Sequence, residues 1–182
     1  MVGIIEKGNN GLFANEIEMN GKYANYARYL KEEVGIFQTF REVYLVGAIV
    51  GFLNGKLQEE EQTEKVSSAS VFPNELAKRK TDLKHIYRTM MLLKEEEGYS
   101  LDDYMNRAFR DDPEENPEVY KQNMRIFNAY ACGGIEFLYE KFADIRDVDT
   151  VVDVLYQYLH DFSIDVGLLE DEDLPEFTPE YS

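Results

Sequence analysis

Residues 39–56 form one strongly apolar segment in an otherwise acidic chain, and their pattern is typical of a capped helix without a polar face. Thr39 and Glu42 fit a capping box, in which a hydroxyl and a carboxylate each accept a hydrogen bond from a free backbone amide. Asn54 and Gly55 supply a stop signal. Because a helix that is apolar on all sides must be surrounded by protein, we expect it at the centre of the fold.

Two pairs of glycines predict where helices come close to one another. Gly47 and Gly51 are four residues apart, so they lie on one side of the central helix and allow another backbone to approach. Gly133 and Gly134 interrupt a second long segment of helical periodicity, at a cost of roughly 1 kcal/mol each relative to alanine. The second pair predicts a kink, a break or a close helix crossing.

Apolar residues at helical spacing predict further helices on both sides of the central one. We expect an all-α, single-domain bundle of about five or six helices. The Gly- and Asn-rich start permits a small hairpin without requiring it, which leaves room for a short N-terminal β element. The predicted organisation is an N-terminal arm or hairpin at residues 1–20, a helical domain at residues 21–164 and an acidic tail at residues 165–182.

The same spacing assigns inward-facing residues to three later helices, whereas residues 57–70 read as a solvated linker or a frayed helix end. We expect each helix to bury one apolar side. The residues predicted to face inward are Leu83, Ile86, Tyr87, Met90, Met91 and Leu93, then Leu101, Tyr104, Met105, Ala108 and Phe109, and finally Val151, Val152, Val154, Leu155, Tyr158, Leu159 and Phe162.

The charge of the chain limits its partners. Its 36 acidic and 19 basic residues give a net charge of -17, which disfavours binding to a nucleic-acid backbone and favours solubility, basic partners or DNA mimicry. The start of the chain lacks the pattern of a secretory signal, so we expect a cytoplasmic location. The longest apolar run, residues 43–53, is shorter than the roughly 20 residues that cross a bilayer, so we expect no membrane span.

Reactive groups are few. His85 and His160 are the two histidines, and Cys132 is the single cysteine, which makes a His-rich or Cys/His zinc site implausible. The tetrad from Asp82 to His85 is the nearest approach to the Glu-x-x-His motif of di-metal bundles, and a helix cap beside a surface histidine explains it better. No phosphate loop or dinucleotide fingerprint occurs. The sequence therefore predicts no catalytic residue, no cofactor and no metal.

Two groups of residues are candidates for binding a partner. Lys80, Lys84 and Arg88 share one face of a predicted helix, as part of the basic region at residues 78–88. In so acidic a chain, pairing with the protein's own carboxylates is the favoured interpretation, and a docking patch for an acidic partner or a phosphate backbone is the alternative. The acidic tail carries a second group of apolar residues suited to docking on the body or on a partner. These residues are Leu168, Leu169, Leu174 and Phe177.

Three segments together suggest a family. Gly21-Lys-Tyr-Ala-Asn-Tyr-Ala27 precedes Gly35-Ile-Phe-Gln-Thr39, the apolar helix follows, and Phe127-Asn-Ala-Tyr-Ala-Cys-Gly-Gly-Ile-Glu-Phe-Leu138 comes late. This order, over residues 21–142, resembles the Dnd (DNA phosphorothioation) system-associated protein 4 group, small accessory proteins of bacterial phage-defence operons. The acidic tail and the longer middle depart from that pattern. The resemblance implies a non-catalytic subunit that works beside larger nucleases, ATPases or SMC-like proteins, and it transfers no catalytic residue.

Three functions are compatible with the sequence. The first is a non-catalytic interaction subunit of a bacterial multiprotein complex in anti-phage defence or DNA processing, which binds a larger protein of the same operon and is compatible with homo-oligomerisation. The second is an acidic DNA mimic that inhibits a nucleic-acid-binding enzyme by presenting carboxylates at phosphate-like spacing. The third, a carboxylate metal hydrolase, requires several acids to converge in one pocket.

Overall fold

Helices make up most of the structure, with one short sheet beside them. The computed structural model describes residues 12–59, 68–110, 115–145, 147–165 and 167. The predicted all-α class with a short N-terminal β element is confirmed. In chain order the elements are β1 (Ile17–Asn20), α1 (Gly21–Arg28), a π-helical turn (Tyr29–Glu33), α2 (Phe40–Leu53), β2 (Ser68–Val71), α3 (Pro73–Lys78), α4 (Lys80–Leu93), α5 (Leu101–Phe109), α6 (Pro117–Phe142) and α7 (Val148–Asp165).

The described residues contain more helices than the five or six expected, namely seven α-helices. One reason is that the helical region after Pro73 restarts at Lys80. The chain divides into two compact units, at residues 1–140 and 141–182. The predicted limits of the arm, the helical domain and the tail stay a prediction.

Helix α2 has the capping box and the surroundings that its sequence predicts. The Glu42 backbone amide donates to Thr39 Oγ1 at 3.2 Å, and the Thr39 amide donates back to Glu42 Oε2 at 3.1 Å. Gly55 ends the helix with a φ of +61°, in the left-handed region that glycine adopts without strain. No residue of α2 before Leu53 is exposed, and the helix contacts α1, the π-helical turn, β2 and α4. Its predicted central position is confirmed.

Glycines allow α2 and α6 to cross with their backbones in contact. A Cβ atom on Gly134 would overlap the Gly47 carbonyl oxygen, and one on Gly51 would overlap the Tyr130 carbonyl oxygen. At Gly47 the contact is looser, since a Cβ atom there would lie 2.8 Å from Ile135 Cγ1. Helix α6 runs unbroken through its two glycines. Of the three predicted alternatives, a close helix crossing is therefore the one observed.

The sheet lies partly where a linker was predicted. Strand β1 pairs antiparallel with β2, with Ile17 opposite Val71 and Asn20 opposite Ser68. The linker prediction is therefore wrong for residues 68–70. Ala69 and Val71 are buried while Ser68 is exposed. Two alternating apolar residues are too few for the sequence to indicate a strand. The predicted hairpin around residues 8–11 lies outside the described residues.

Four aromatic rings join separate elements in the core. The Phe127 ring of α6 lies with its centroid 5.6 Å from the Phe13 ring and 5.7 Å from the rings of Tyr44 on α2 and Tyr87 on α4. Phe13 and Tyr87 also meet edge to face, at 5.9 Å. All four side chains are buried. Phe127 therefore packs α6 against α2, against α4 and against the segment that precedes β1.

Candidate interaction surfaces

Helix α5 turns its large apolar side chains outward. Leu101, Met105 and Phe109 are 76%, 45% and 47% exposed, and their spacing of four residues places them on one side of the helix. We call these three residues the α5 stripe. They were predicted to face inward, and that prediction is wrong. Leu93, at the end of α4, is also 62% exposed and not buried as expected.

Polar contacts hold the opposite side of α5 against the protein. Arg107 is buried there, and Asn123 Nδ2 of α6 donates to the Arg107 carbonyl oxygen at 2.8 Å. Ala108 is also buried, at the edge of the α5 stripe next to Leu101. The Ser100 hydroxyl accepts from the Asp103 amide at 3.3 Å and caps the first turn. Since these contacts fix which side of α5 is buried, the α5 stripe has no freedom to turn inward.

Arg107 is the charged side chain at the centre of these contacts, and it is only 5% exposed. Its Nη1 atom lies 3.8 Å from Glu96 Oε1 and 3.5 Å from the Lys94 carbonyl oxygen. The Lys94 ammonium donates a hydrogen bond to the same carboxylate, and this bond, with the charges of Lys94 and Arg107, lowers the pKa of Glu96.

Replacing Glu96 by glutamine is expected to lower the free energy of unfolding by about 1–2 kcal/mol. Breaking a buried pair costs more than this, but the Glu96 side chain is about a third exposed, so solvent screens part of the effect. Thermal and denaturant unfolding measure the change. Glu97→Gln is the matched control, because Glu97 is exposed and adjacent; an equal loss in both variants would contradict the role of Glu96.

The lowered pKa of Glu96 also makes the stability difference between the wild type and Glu96→Gln depend on pH. A carboxyl whose folded pKa lies below its unfolded value of about 4.5 stabilises the fold fully above that value. The contribution disappears as the pH falls through the lower, folded pKa. The stabilities of the wild type and Glu96→Gln should therefore converge in acid, and a difference that stays constant from neutral to acid pH would contradict the ion pair.

The predicted basic patch adjoins the α5 stripe. The Arg88 guanidinium on α4 lies over the Phe109 ring at 5.2 Å, and Lys84 and Lys80 follow at one-turn intervals along α4. All three side chains are half-buried. The apolar tail residues predicted to bind a partner lie outside the described residues. The structure thus places part of the predicted site beside a surface that the sequence interpretation missed.

The second compact unit has an exposed apolar side of its own. Val151 of α7 is buried as predicted, whereas Val152 and Leu159 are 44% and 51% exposed, so the predicted burial of those two is wrong. The other predicted residues of α7 are half-buried. The apolar residues of α7 cover more of its circumference than is buried in the structure.

An open groove of about 1070 Å³ lies between β1 and the first half of α6. Its lining includes the carboxylates of Glu16, Glu18 and Glu59 and the cations of Lys121 and Arg125. Arg125 Nη2 lies 2.6 Å from Glu59 Oε1. Charges of both signs line the groove, so its electrostatics favour no single class of ligand.

The groups considered for chemistry stand apart from one another. His85 is exposed on α4, His160 is half-buried on α7 and lies 3.3 Å from Asp161 Oδ1, and Cys132 is buried in α6. Within the part of the chain that the structure describes, no three His, Cys, Asp or Glu residues are grouped to hold a metal ion. None of the described helices has both the length and the apolar character of a bilayer span.

The spacing of Leu101, Met105 and Phe109 was visible in the sequence, but periodicity reports that a helix has an apolar side and not what covers that side. No pattern in the sequence indicated that Arg107 would be buried. Comparison with known proteins adds nothing to this assignment. No family model, no curated protein and no solved structure matches the chain.

Proposed function

We propose that this protein is a non-catalytic interaction subunit that binds a larger protein through the α5 stripe. The observation that carries the proposal is the outward placement of Leu101, Met105 and Phe109 on a helix whose other side is fixed by buried contacts. Exposed apolar side chains that adjoin one another are typical of protein–protein interfaces. Arg88, packed on Phe109, adds a cation at the edge of this surface.

The biological setting of the proposal comes from the resemblance to the Dnd system-associated protein 4 group. On that basis the partner is a nuclease, an ATPase or an SMC-like protein of the same bacterial operon, and the complex acts in anti-phage defence or DNA processing. Lys80, Lys84 and Arg88 form the basic border of the surface and would meet acidic residues of the partner. Among the apolar anchors, Met105 is the central one.

Replacing Met105 by aspartate should weaken partner binding about 100-fold, or ~3 kcal/mol, since the variant places a charge at the centre of an apolar contact. The measurement is copurification of the tagged full-length protein from its native host, followed by titration of the operon protein recovered. The fold should tolerate the change because Met105 is exposed. Leu53→Asp, at another exposed apolar residue, serves as the control and should bind like the wild type.

Three results would contradict this proposal. In one, the wild-type protein remains alone in the presence of every protein encoded beside it. In another, Leu53→Asp weakens binding as much as Met105→Asp, which would indicate a general effect of added charge. Retention of the partner by Met105→Asp would equally remove α5 from the interface.

A DNA mimic remains the second candidate because the chain has a net charge of -17. Such a protein competes with DNA for a basic groove, and the competition weakens as salt rises. The discriminating assay is displacement of DNA from the copurified partner at low salt. Displacement by Met105→Asp as effective as that by the wild type would favour mimicry over binding through the α5 stripe.

A further inference from the structure

A second exposed stripe runs along α7, in the unit formed by residues 141–182. Its residues follow one another at intervals of four, three, four and three, the spacing that places side chains along one line facing a neighbouring helix. Val148, Val152 and Leu159 are 76%, 44% and 51% exposed, and the other two members are half-buried. The α7 stripe consists of Val148, Val152, Leu155, Leu159 and Phe162.

This stripe differs from the side of α7 that is already covered. Val151 is buried, and the Tyr158 ring lies under the Lys141 ammonium at 5.1 Å, in the same unit. Both residues lie next to the α7 stripe and outside it. A helix that needed only to cover its own unit would carry polar residues at Val148, Val152 and Leu159.

The charge on α7 indicates what fits against the stripe. The helix contains four aspartates and no glutamate, lysine or arginine. At 3.6 residues per turn, Asp149 and Asp165 lie on the two flanks of the stripe, and both are exposed, whereas Asp153 lies further round the helix. Asp161 is already engaged, since Gln157 Nε2 donates to it at 2.6 Å and His160 Nδ1 lies 3.3 Å away.

We propose that the α7 stripe binds an amphipathic helix of a partner protein whose flanking residues are lysine or arginine. In a coiled-coil pairing, residues that flank the apolar line choose the partner through their charge. A second copy of α7 is disfavoured, because it would bring four aspartates and no lysine or arginine to pair with Asp149 and Asp165. The chain's own residues 168–182 are disfavoured for the same reason, since they contain six acidic residues and no lysine or arginine.

The test uses the full-length protein and two synthetic helical peptides of equal length. Both carry leucine and valine at the same three- and four-residue spacing, and they differ only in having lysine or glutamate at the flanking positions. Fluorescence anisotropy should show at least ~10-fold tighter binding of the lysine peptide. Leu159→Asp should weaken that binding at least ~10-fold. Replacing Asp149 and Asp165 together by lysine should reverse the preference between the peptides.

Met105→Asp is the control that separates this surface from the one in the proposed function. It should leave peptide binding unchanged, so the proposal for the α5 stripe and the proposal for the α7 stripe can be rejected independently. Equal binding of both peptides, or none of either, overturns the proposal. A dimer of the full-length protein that Leu159→Asp dissociates would identify a second copy as the occupant. Binding that appears only when Leu168 and Leu169 are replaced by aspartate would identify the tail.

Discussion

Replacing Phe127 by alanine is expected to lower the free energy of unfolding by about 4 kcal/mol, the largest effect of any single substitution considered for this protein. The side chain is fully buried, and its ring contacts three other buried rings from different parts of the chain. Truncation leaves a cavity that Phe13, Tyr44 and Tyr87 can fill only by moving away from their own partners. Each lost ring pair adds to the cost of the cavity.

Chemical denaturation with circular dichroism measures this effect. The control is Phe72→Ala, because Phe72 is exposed and loses the same atoms without opening a cavity in the core. Phe72→Ala should change stability by less than about 1 kcal/mol. Similar losses in the two variants would mean that the four-ring cluster does not hold the fold together.

Replacing Gly134 or Gly51 by alanine is expected to cost about 3 kcal/mol, although alanine favours a helix by roughly 1 kcal/mol. At both positions a methyl group would overlap a backbone carbonyl of the facing helix. Backbone atoms cannot turn aside as a side chain can, so α2 and α6 would have to separate along their whole crossing. The gain in helix propensity is therefore outweighed.

A milder variant of the same kind serves as the internal control. At Gly47 the closest atoms to an added methyl group are Ile135 Cγ1, at 2.8 Å, and the Ala131 carbonyl oxygen, at 3.0 Å. The overlap is therefore smaller than at Gly51 or Gly134. Gly47→Ala should thus cost clearly less than Gly51→Ala or Gly134→Ala in denaturant unfolding. The opposite order, or stabilisation by Gly134→Ala, would contradict the close crossing.

The central helix could be predicted because its signals are local. Thr39, Glu42 and Gly55 lie within or beside the helix they delimit, and an apolar surface on all sides admits one interpretation. The glycine pairs also predicted a close approach. They could not predict which glycine meets which carbonyl, because that depends on the register between two helices far apart in sequence.

The orientation of α5 could not be predicted for a related reason. In a helix of nine residues, apolar positions at Leu101, Tyr104, Met105, Ala108 and Phe109 span a wide arc, and two different sides of it can be buried. Burial of Arg107 decides between them, and it depends on Glu96 in the preceding loop and on Asn123 in α6. Such contacts carry no periodic signal.

The most direct test of the interaction proposal is amide hydrogen exchange of the complex copurified from the native host, compared with the isolated protein. An interface on α5 predicts that amides of residues 101–109 exchange at least ~10-fold more slowly in the complex, while those of α2 do not change. Protection should be lost in any complex that Met105→Asp still forms. Unchanged exchange across α5 in a complex that protects other residues would contradict the proposed function.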